Sequence, residues 1–294
     1  MRRVWIDTDP AITSGNGEVD DGFALLQAFA SPEFDIVGIS AVFGNTEIEK
    51  THAMTLEIVR RAAVDIPVYR GHGVEGARGM CPAVEGLIAA LEAGPLTIIA
   101  LGPLTNIAAG LSQPGVRLDH VEEIVFVGGR RIGLEFRATL DQDKPFRDMN
   151  FELDAKAAEG LLALSVPMTL AGWEVSSQMW LSADDLELLR CDGAPVIAWL
   201  SEMSGDWLSN WVETFKAPGF TPFDTLAVGW LLRPDLFEGF TAPARIEHTP
   251  ERPLFHVDEG LRGHNVRYLR GVDNQAFRAD LMERLSGFQM GSTP

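Results

Sequence analysis

Short apolar segments alternate with amphipathic segments along the first two thirds of the chain. The apolar segments are residues 4–6, 35–43, 66–69, 96–101, 124–127 and 168–171. Between them, apolar residues recur at helical spacing, for example over residues 20–30 and 46–63. Parallel strands need long crossover connections, usually helices, so this alternation is typical of a parallel sheet. The sequence therefore predicts an α/β fold with an open, mostly parallel sheet flanked by helices.

The second half of the sequence is richer in helical patterns. Helices are predicted at residues 183–189, 195–215, 224–232 and 272–285. Short strand patterns occur at residues 255–257 and 266–269. Because no internal repeat or low-complexity linker separates these segments, we predict one domain over residues 1–294, with a helical elaboration in its second half.

The charge and cysteine content exclude several classes of protein. Of the 294 residues, 42 are acidic and 24 are basic, which gives a formal net charge of −18. Such a chain repels nucleic-acid phosphates. Its two cysteines are too few for a disulfide framework or a cysteine-based zinc site. No apolar run approaches the ~18 residues of a membrane span, and Asp7 interrupts any leader-like segment. We expect a cytoplasmic protein without nucleic-acid or membrane partners.

Four aspartates stand at the end of the first strand and the start of the first helix. Asp7 and Asp9 face the same side of an extended segment. Acidic residues such as Asp20 and Asp21 are also favourable at a helix N-terminus for capping alone. Capping does not explain the first pair, and crowded carboxylates repel one another unless protons or a cation intervene. Ligands that are all oxygen favour a hard ion, Ca²⁺ or Mg²⁺.

This region resembles the inosine-uridine-preferring nucleoside hydrolase family. The family signature is Asp-x-Asp-Pro-Gly-x-Asp-Asp, and here residues 7–10 read Asp-Thr-Asp-Pro and residues 20–21 read Asp-Asp. Nine residues, 11–19, stand where the family has two. This insert is rich in glycine and polar residues, which predicts a loop over the site. It acts either as a lid or as a passive surface bulge.

Further similar segments follow in the family's order along nearly the whole chain. They are Val-Phe-Gly-Asn at 42–45, Ala-Leu-Gly-Pro-Leu-Thr-Asn-Ile-Ala at 100–108, Ile-Val-Phe-Val-Gly-Gly at 124–129, Asp-Met-Asn-Phe-Glu-Leu-Asp at 148–154 and Pro-Phe-Asp-Thr-Leu-Ala-Val at 222–228. Each segment is a weak signal alone. Together, in register, they indicate strongly that the chain is a member.

The resemblance implies a bound Ca²⁺ at the strand ends. Its protein ligands would be Asp9, Asp21, Asp224 and the backbone carbonyl of Leu101. Asp7 would support Asp9 or the loop without touching the ion. Asp9 would also be the general base that activates water for attack on the sugar.

The resemblance also implies the reaction and the substrate contacts. The reaction is hydrolysis of the N-glycosidic bond of ribonucleosides, giving free base and ribose. Asp20, Asn45 and Asn150 would contact ribose or the wall of the site. Asp148 stands where the family has Glu and would bind the 5′ end of the sugar with a shorter reach. Relatives are oligomeric, so a homodimer or homotetramer is expected.

The chain departs from the family where the leaving base is protonated. Phe223 occupies the position of a family histidine, and a second family histidine has no match in residues 74–94. One repair is aromatic stacking on the base by Phe223, Trp173, Trp207 or Trp211, which makes the base easier to protonate from solvent. The other is a substrate with a good leaving group, such as a nicotinamide riboside. His72 is a weaker candidate acid.

Two other functions are alternatives to the nucleoside hydrolase interpretation. The first is a catalytically weak nucleoside- or ribose-binding protein on the same scaffold, because the metal ligands are present while the usual acid is missing. The second is a haloacid-dehalogenase-like phosphatase, which also has Asp-x-Asp after its first strand. That class needs a later lysine at a strand end. None of the four lysines, Lys50, Lys144, Lys156 and Lys216, has such a position.

Overall fold

The structure, a computed structural model, describes residues 1–14, 17–139 and 142–291. Its strands are β1 (Arg2–Thr8), β2 (Phe34–Ala41), β3 (Val68–Arg70), β4 (Leu96–Ala100), β5 (Val121–Phe126), β6 (Arg130–Arg131), β7 (Met168–Leu170), β8 (Phe237–His248), β9 (Pro253–Val257) and β10 (Asn265–Val272). Within the described residues they form one sheet in the order β3-β2-β1-β4-β5-β7-β10-β8-β9-β6.

Helices connect and flank these strands. They are α1 (Asp20–Phe29), α2 (Ile48–Ala62), α3 (Pro82–Glu92), α4 (Thr105–Leu111), α5 (Met149–Glu152), α6 (Ala155–Leu164), α7 (Trp173–Ser176), α8 (Ala183–Asp192), α9 (Pro195–Met203), α10 (Gly205–Phe215), α11 (Phe223–Leu232) and α12 (Asn274–Ser286). Over the part of the chain that the structure describes, none of these helices has the length and apolar character needed to cross a membrane.

The sheet is parallel from β3 to β10, β8 is antiparallel to both of its neighbours, and the short edge strand β6 pairs parallel with β9. Neighbouring strands are parallel through β3, β2, β1, β4, β5, β7 and β10. Strand β8 then pairs antiparallel with β10, and β9 pairs antiparallel with β8. The predicted open, mostly parallel α/β sheet is therefore confirmed.

Apolar side chains are buried on both faces of the sheet. In β1, Val4 and Ile6 pack with Phe23 of α1 on one face, whereas Trp5 packs with Leu87 of α3 on the other. Strand side chains alternate between faces, so a strand covered on both sides is apolar at nearly every position. This is why the central strands were recognisable as short apolar runs.

The second half differs from the sequence prediction in the short helices α5 and α7, which were not predicted, and in two longer elements. The helix predicted at residues 195–215 is two helices, α9 and α10, which meet at Ser204. The hydroxyl of Ser204 donates to the carbonyl of Leu200 at 2.8 Å, and α10 begins at Gly205, a weak helix former. Strand β8 was not predicted, because its exposed and buried residues form no continuous apolar run.

The carboxyl ends of β1, β2, β4, β5 and β7 lie at the same edge of the sheet, since these strands are parallel. In open parallel sheets, ligands bind outside the carboxyl ends of the strands. The motif segments at residues 7–10, 42–45, 100–108 and 124–129 leave the sheet at this edge, whereas those at 148–154 and 222–228 lie at the starts of α5 and α11.

Candidate functional site

Asp7 lies near the end of β1 and is completely buried. Its Oδ1 accepts hydrogen bonds from Asn106 Nδ2 at 2.8 Å and from the hydroxyl of Ser40. Its Oδ2 has no hydrogen-bond partner among the described residues. Burial raises the pKa of Asp7 to about 7. Asp7 thus links β1 to β2 and α4; its predicted support of Asp9 stays a prediction.

Asp9 follows β1 directly and is also buried. Its Oδ2 accepts the backbone N–H of Asn45 at 2.7 Å, while Oδ1 is buried without a partner among the described residues. A Cβ at Gly44 would overlap Oδ2, and a Cβ at Gly102 would lie 2.6 Å from Oδ1. Glycine at both positions therefore lets two neighbouring loops approach the carboxylate. Burial, and then the charge of Asp21, raise the pKa of Asp9.

Asp20 and Asp21 begin α1, and both side chains are buried. Asp21 Oδ1 accepts the backbone N–H of Asp9 at 3.1 Å and the hydroxyl of Thr8. Burial raises the pKa of Asp21 to about 6, although these hydrogen bonds favour the carboxylate. Burial and the charge of Asp21 also raise the pKa of Asp20.

Glu18, at the end of the insert, lies against the same helix start. Its Oε1 accepts the backbone N–H of Asp20, and its Oε2 accepts Asn45 Nδ2 at 2.7 Å. Glu18, Asp20 and Asp21 each offer a carboxylate oxygen within 4.8 Å of the others, so this group can hold a metal ion. Glu18 was not among the predicted site residues, although an acidic residue two positions before the aspartate pair was the available signal.

Asp224, at the start of α11, is buried beside these acids. Burial raises its pKa, followed by the charges of Asp20, Asp21 and Asp9. Such repulsion among buried carboxylates is relieved by a bound cation.

Only one of the predicted metal ligands, Asp21, belongs to the group of three acids whose carboxylate oxygens lie within 4.8 Å of one another. The other two members of that group are Glu18 and Asp20. The Leu101 carbonyl, another predicted ligand, lines the same cavity and accepts Asn150 Nδ2 at 2.5 Å. An all-oxygen donor set and the unpartnered Asp9 Oδ1 fit a hard divalent cation.

Three members of the acidic cluster, Glu18, Asp20 and Asp224, line a cavity of about 370 Å³, whereas Asp9 and Asp21 are not among its lining residues. This volume is within the range of small-molecule sites. Acidic and amide side chains at the strand ends line one part, namely Glu18, Asp20, Asn45, Asp148, Asn150 and Asp224. Aromatic side chains line the rest, namely Phe136, Phe146, Trp173, Trp207, Trp211, Phe215 and Phe223.

The aromatic part is a set of rings in mutual contact. The ring of Trp173 stacks on Phe136 with centroids 5.6 Å apart, and it lies 5.6 Å from Phe223. Trp211 lies 6.0 Å from Phe223 and 5.4 Å from Phe146. The structure therefore brings the predicted Trp173 and Phe223 together. Phe136 and Phe146 were missed, because they lie in a segment unlike the family pattern.

No histidine is among the described residues that line this cavity. His72, the weaker candidate acid, lies outside the lining, and its Nε2 is 3.1 Å from the carbonyl oxygen of Gly79. The titratable side chains of the lining are thus the acidic ones and Arg147.

Asp148 and Asn150 fix the wall of the cavity next to β4 and β5. Asp148 Oδ2 accepts the backbone N–H of Gly129 at 2.9 Å, and Asn150 Nδ2 also lies 3.2 Å from the carbonyl of Val127. Burial raises the pKa of Asp148 to about 6, and the positive charge of Arg130 opposes the shift.

A buried glutamate supports this wall from behind. The Glu152 carboxylate lies 2.8 Å from Arg147, 3.6 Å from Arg252 and 3.9 Å from the buried Arg130. It also accepts the backbone N–H of Asp148 at 2.9 Å. One carboxylate therefore lies within 4 Å of three arginine side chains and also accepts a backbone N–H at the start of α5.

The insert is anchored at both ends. Ala11, Ile12 and Val19 are fully buried, and a Cβ on Gly22 would meet the Ile12 side chain at 2.9 Å. Residues 15–16 of the insert lie outside the described residues, so the lid and the passive bulge both stay predictions.

A parallel α/β sheet with buried carboxylates and an aromatic cavity at its strand ends is the architecture of an N-glycosyl hydrolase of the nucleoside hydrolase type. A profile of the inosine-uridine preferring nucleoside hydrolase family matches residues 4–279. The chain belongs to this family, which confirms the resemblance noted in the sequence.

Similar proteins extend over most of the chain. An uncharacterized protein of Schizosaccharomyces pombe is 29% identical over 96% of this chain and 98% of its own length. The pyrimidine-specific ribonucleoside hydrolase RihB of Shigella sonnei is 26% identical, covering 80% of this chain and 79% of RihB. The solved purine-preferring ribonucleoside hydrolase from Gardnerella vaginalis has a TM-score of 0.85 and 22% identity, covering 98% and 99% of the two chains. These two hydrolases prefer different bases, so the likeness does not select a base for this chain.

Proposed function

We propose that this chain catalyses the Ca²⁺-dependent hydrolysis of the N-glycosidic bond of ribonucleosides, releasing free base and ribose. The observation that carries the proposal is the cluster of buried carboxylates opening directly into an aromatic cavity of nucleoside size. The acidic end suits the ribose hydroxyls and a cation, and the aromatic end suits a planar base.

Asp9, Asp21, Asp224 and the Leu101 carbonyl would hold the ion, leaving the remaining positions of a Ca²⁺ shell for sugar hydroxyls and water. When bound, Ca²⁺ would orient the ribose hydroxyls and lower the pKa of the attacking water. The unpartnered Oδ1 of Asp9 supports this ligand set, because a buried oxygen without a hydrogen bond is otherwise costly.

Asp9 acts as the general base in this scheme. Its Oδ1 would serve both the ion and the water, one through each lone pair, because Oδ2 already accepts the N–H of Asn45. The water oxygen forms a bond to C1′ while the bond from C1′ to the base nitrogen breaks, and the electron pair leaves with the base. Buried carboxylates beside the sugar stabilise the positive charge that develops at C1′.

The remaining cavity residues orient the substrate. Asp20 and Asn45 contact the ribose, and Asp148 with Asn150 holds its 5′ end. The base packs against Trp173 and Phe223, where stacking assists its protonation from solvent. Because no histidine lines the described cavity, ribosides with good leaving groups, such as nicotinamide riboside, are the expected best substrates.

The test is ribose release from a panel of purine, pyrimidine and nicotinamide ribosides. We expect release that stops on chelation and returns with Ca²⁺, and that is lost in Asp9→Asn. Asp65→Asn, at an exposed position before β3, is the matched control. Release that survives complete chelation would refute the calcium dependence.

A second candidate is a catalytically weak nucleoside- or ribose-binding protein, favoured by Phe223 at the histidine position. Ribose or nucleoside binding measured by calorimetry, without release from any riboside, would select it. A single domain over residues 1–294, cytoplasmic location and a homodimer or homotetramer stay predictions. Light scattering after size-exclusion chromatography tests the assembly.

A further inference from the structure

The insert ends by placing a carboxylate where the family signature has a glycine. The signature has Gly-x between its proline and its aspartate pair, and the last two insert residues, Glu18 and Val19, directly precede Asp20 and Asp21. Glu18 is only 5% exposed and lines the cavity. The insert therefore contributes a buried acidic side chain at a position that has no side chain in the signature.

The two carboxylate oxygens of Glu18 bind donors from different parts of the fold. Oε1 accepts the backbone N–H of Asp20 at the start of α1. Oε2 accepts Asn45 Nδ2 at 2.7 Å, from the loop that follows β2. Glu18 consequently connects the first helix to the neighbouring strand end.

Asn45 extends this connection to the general base. Its backbone N–H donates to Asp9 Oδ2 at 2.7 Å, so the residue that Glu18 holds also orients the Asp9 carboxylate. The path from the insert to Asp9 thus consists of two hydrogen bonds of equal length through a single residue.

We propose that Glu18 is a positioning residue that orients Asp9 through Asn45 and fixes the start of α1. The proposal rests on the proposed function. A carboxylate is required because it accepts at both oxygens, whereas the amide of glutamine accepts at only one. Through Glu18, the described end of the insert is therefore part of the catalytic apparatus.

The first measurement is Ca²⁺ binding to metal-depleted protein by calorimetry, together with kcat/KM for the best riboside. E18Q should weaken Ca²⁺ binding and lower kcat/KM, each by about 10–100-fold, which is the usual effect of removing a hydrogen bond behind a ligand. The matched control is E47Q. Glu47 precedes α2, its side chain is 73% exposed, and it pairs with Lys50 at 3.6 Å. E47Q should change both values less than about twofold.

The second measurement uses a double variant in which the donor and the acceptor of the hydrogen bond between Asn45 and Glu18 are exchanged. In E18Q/N45D, the introduced amide can donate to the introduced carboxylate while its oxygen still accepts from Asp20, and the net charge equals that of the wild type. In the N45D background, E18Q should leave Ca²⁺ affinity unchanged or raise it, whereas in the wild-type background it should lower it. The two effects of E18Q on Ca²⁺ affinity should differ by at least about tenfold. Thermal melting of each variant controls for folding.

The outcomes separate this inference from the proposed function. If E18Q weakens Ca²⁺ binding by the same factor with and without N45D, Glu18 acts only as a nearby charge and the proposal is overturned. An E18Q variant that behaves like E47Q overturns it too. Wild-type protein that binds Ca²⁺ but releases no ribose would refute the hydrolase function alone, and the calcium measurements would still decide the role of Glu18. Wild-type protein that binds no Ca²⁺ would overturn both.

Discussion

Asp7→Asn should remove the contribution of one buried carboxyl group to the pH dependence of stability of the metal-depleted protein. Asp7 is completely buried, and burial raises its pKa from 3.8 to about 7. Its Oδ1 accepts both of its hydrogen bonds, from Asn106 and Ser40, so a carboxamide oxygen can take the same place. The substitution therefore removes the ionisation and keeps the hydrogen bonds.

Proton linkage determines whether the free energy of unfolding rises or falls with pH. The folded pKa of Asp7 is above the unfolded value, so between these two values the folded state binds more protons than the unfolded state. The free energy of unfolding then falls as the pH rises through this window. One pKa unit corresponds to about 1.4 kcal/mol, so between pH 5 and pH 8 the wild type loses about 3 kcal/mol that the variant retains.

Urea denaturation followed by tryptophan fluorescence, in the presence of a chelator, measures this difference. Wild type, Asp7→Asn and the exposed control Asp65→Asn are compared at pH 5 and pH 8. The stability of Asp7→Asn relative to the wild type should increase by about 3 kcal/mol between the two pH values, and that of Asp65→Asn should stay constant. If the free energy of unfolding of Asp7→Asn differs from that of the wild type by the same amount at both pH values, the pKa of Asp7 is not raised in the folded protein.

Three further substitutions test other contacts. Gly44→Ala should displace the Asp9 carboxylate and lower kcat/KM by at least about 100-fold in a ribose-release assay; near-normal activity would contradict the packing around Asp9. Glu152→Gln should destabilise the protein by about 1–3 kcal/mol in urea, because Arg130 loses one of its two buried carboxylate neighbours and keeps Asp148; a loss below about 0.5 kcal/mol would show that the pair is dispensable. Trp173→Ala should lower kcat/KM about tenfold at unchanged Ca²⁺ affinity, since it removes a wall of the base pocket. A parallel loss of Ca²⁺ binding would instead indicate collapse of the cavity.

The parallel core of the fold was predictable because of how it is buried. Strands such as β1 and β4 have apolar side chains on both faces, so they stand out in the sequence as short apolar runs. Strand β8 is largely exposed, and its alternating side chains gave no comparable signal. The break between α9 and α10 was not predicted either, because the helical spacing of apolar residues continues across Ser204.

The site was predictable where residues follow strands directly. Asp9 and Asn45 lie at strand ends, and a parallel sheet brings such ends together whatever the loops do. Glu18 reaches the site through an insert whose path depends on the burial of Ile12 and Val19, which local sequence does not encode. Phe136 likewise reaches the cavity through a long irregular segment.

Helices α1 and α11 pack against each other, and each begins at the acidic cluster, although α1 spans residues 20–29 and α11 spans residues 223–232. Contacts between such distant segments form late in folding. A nascent chain that has not yet completed α11 holds Asp21 without Asp224, and so has only part of the proposed cation site. We therefore expect a bound cation to slow unfolding far more than it speeds folding, so that metal supply sets the lifetime of the folded enzyme against proteolysis rather than its rate of maturation.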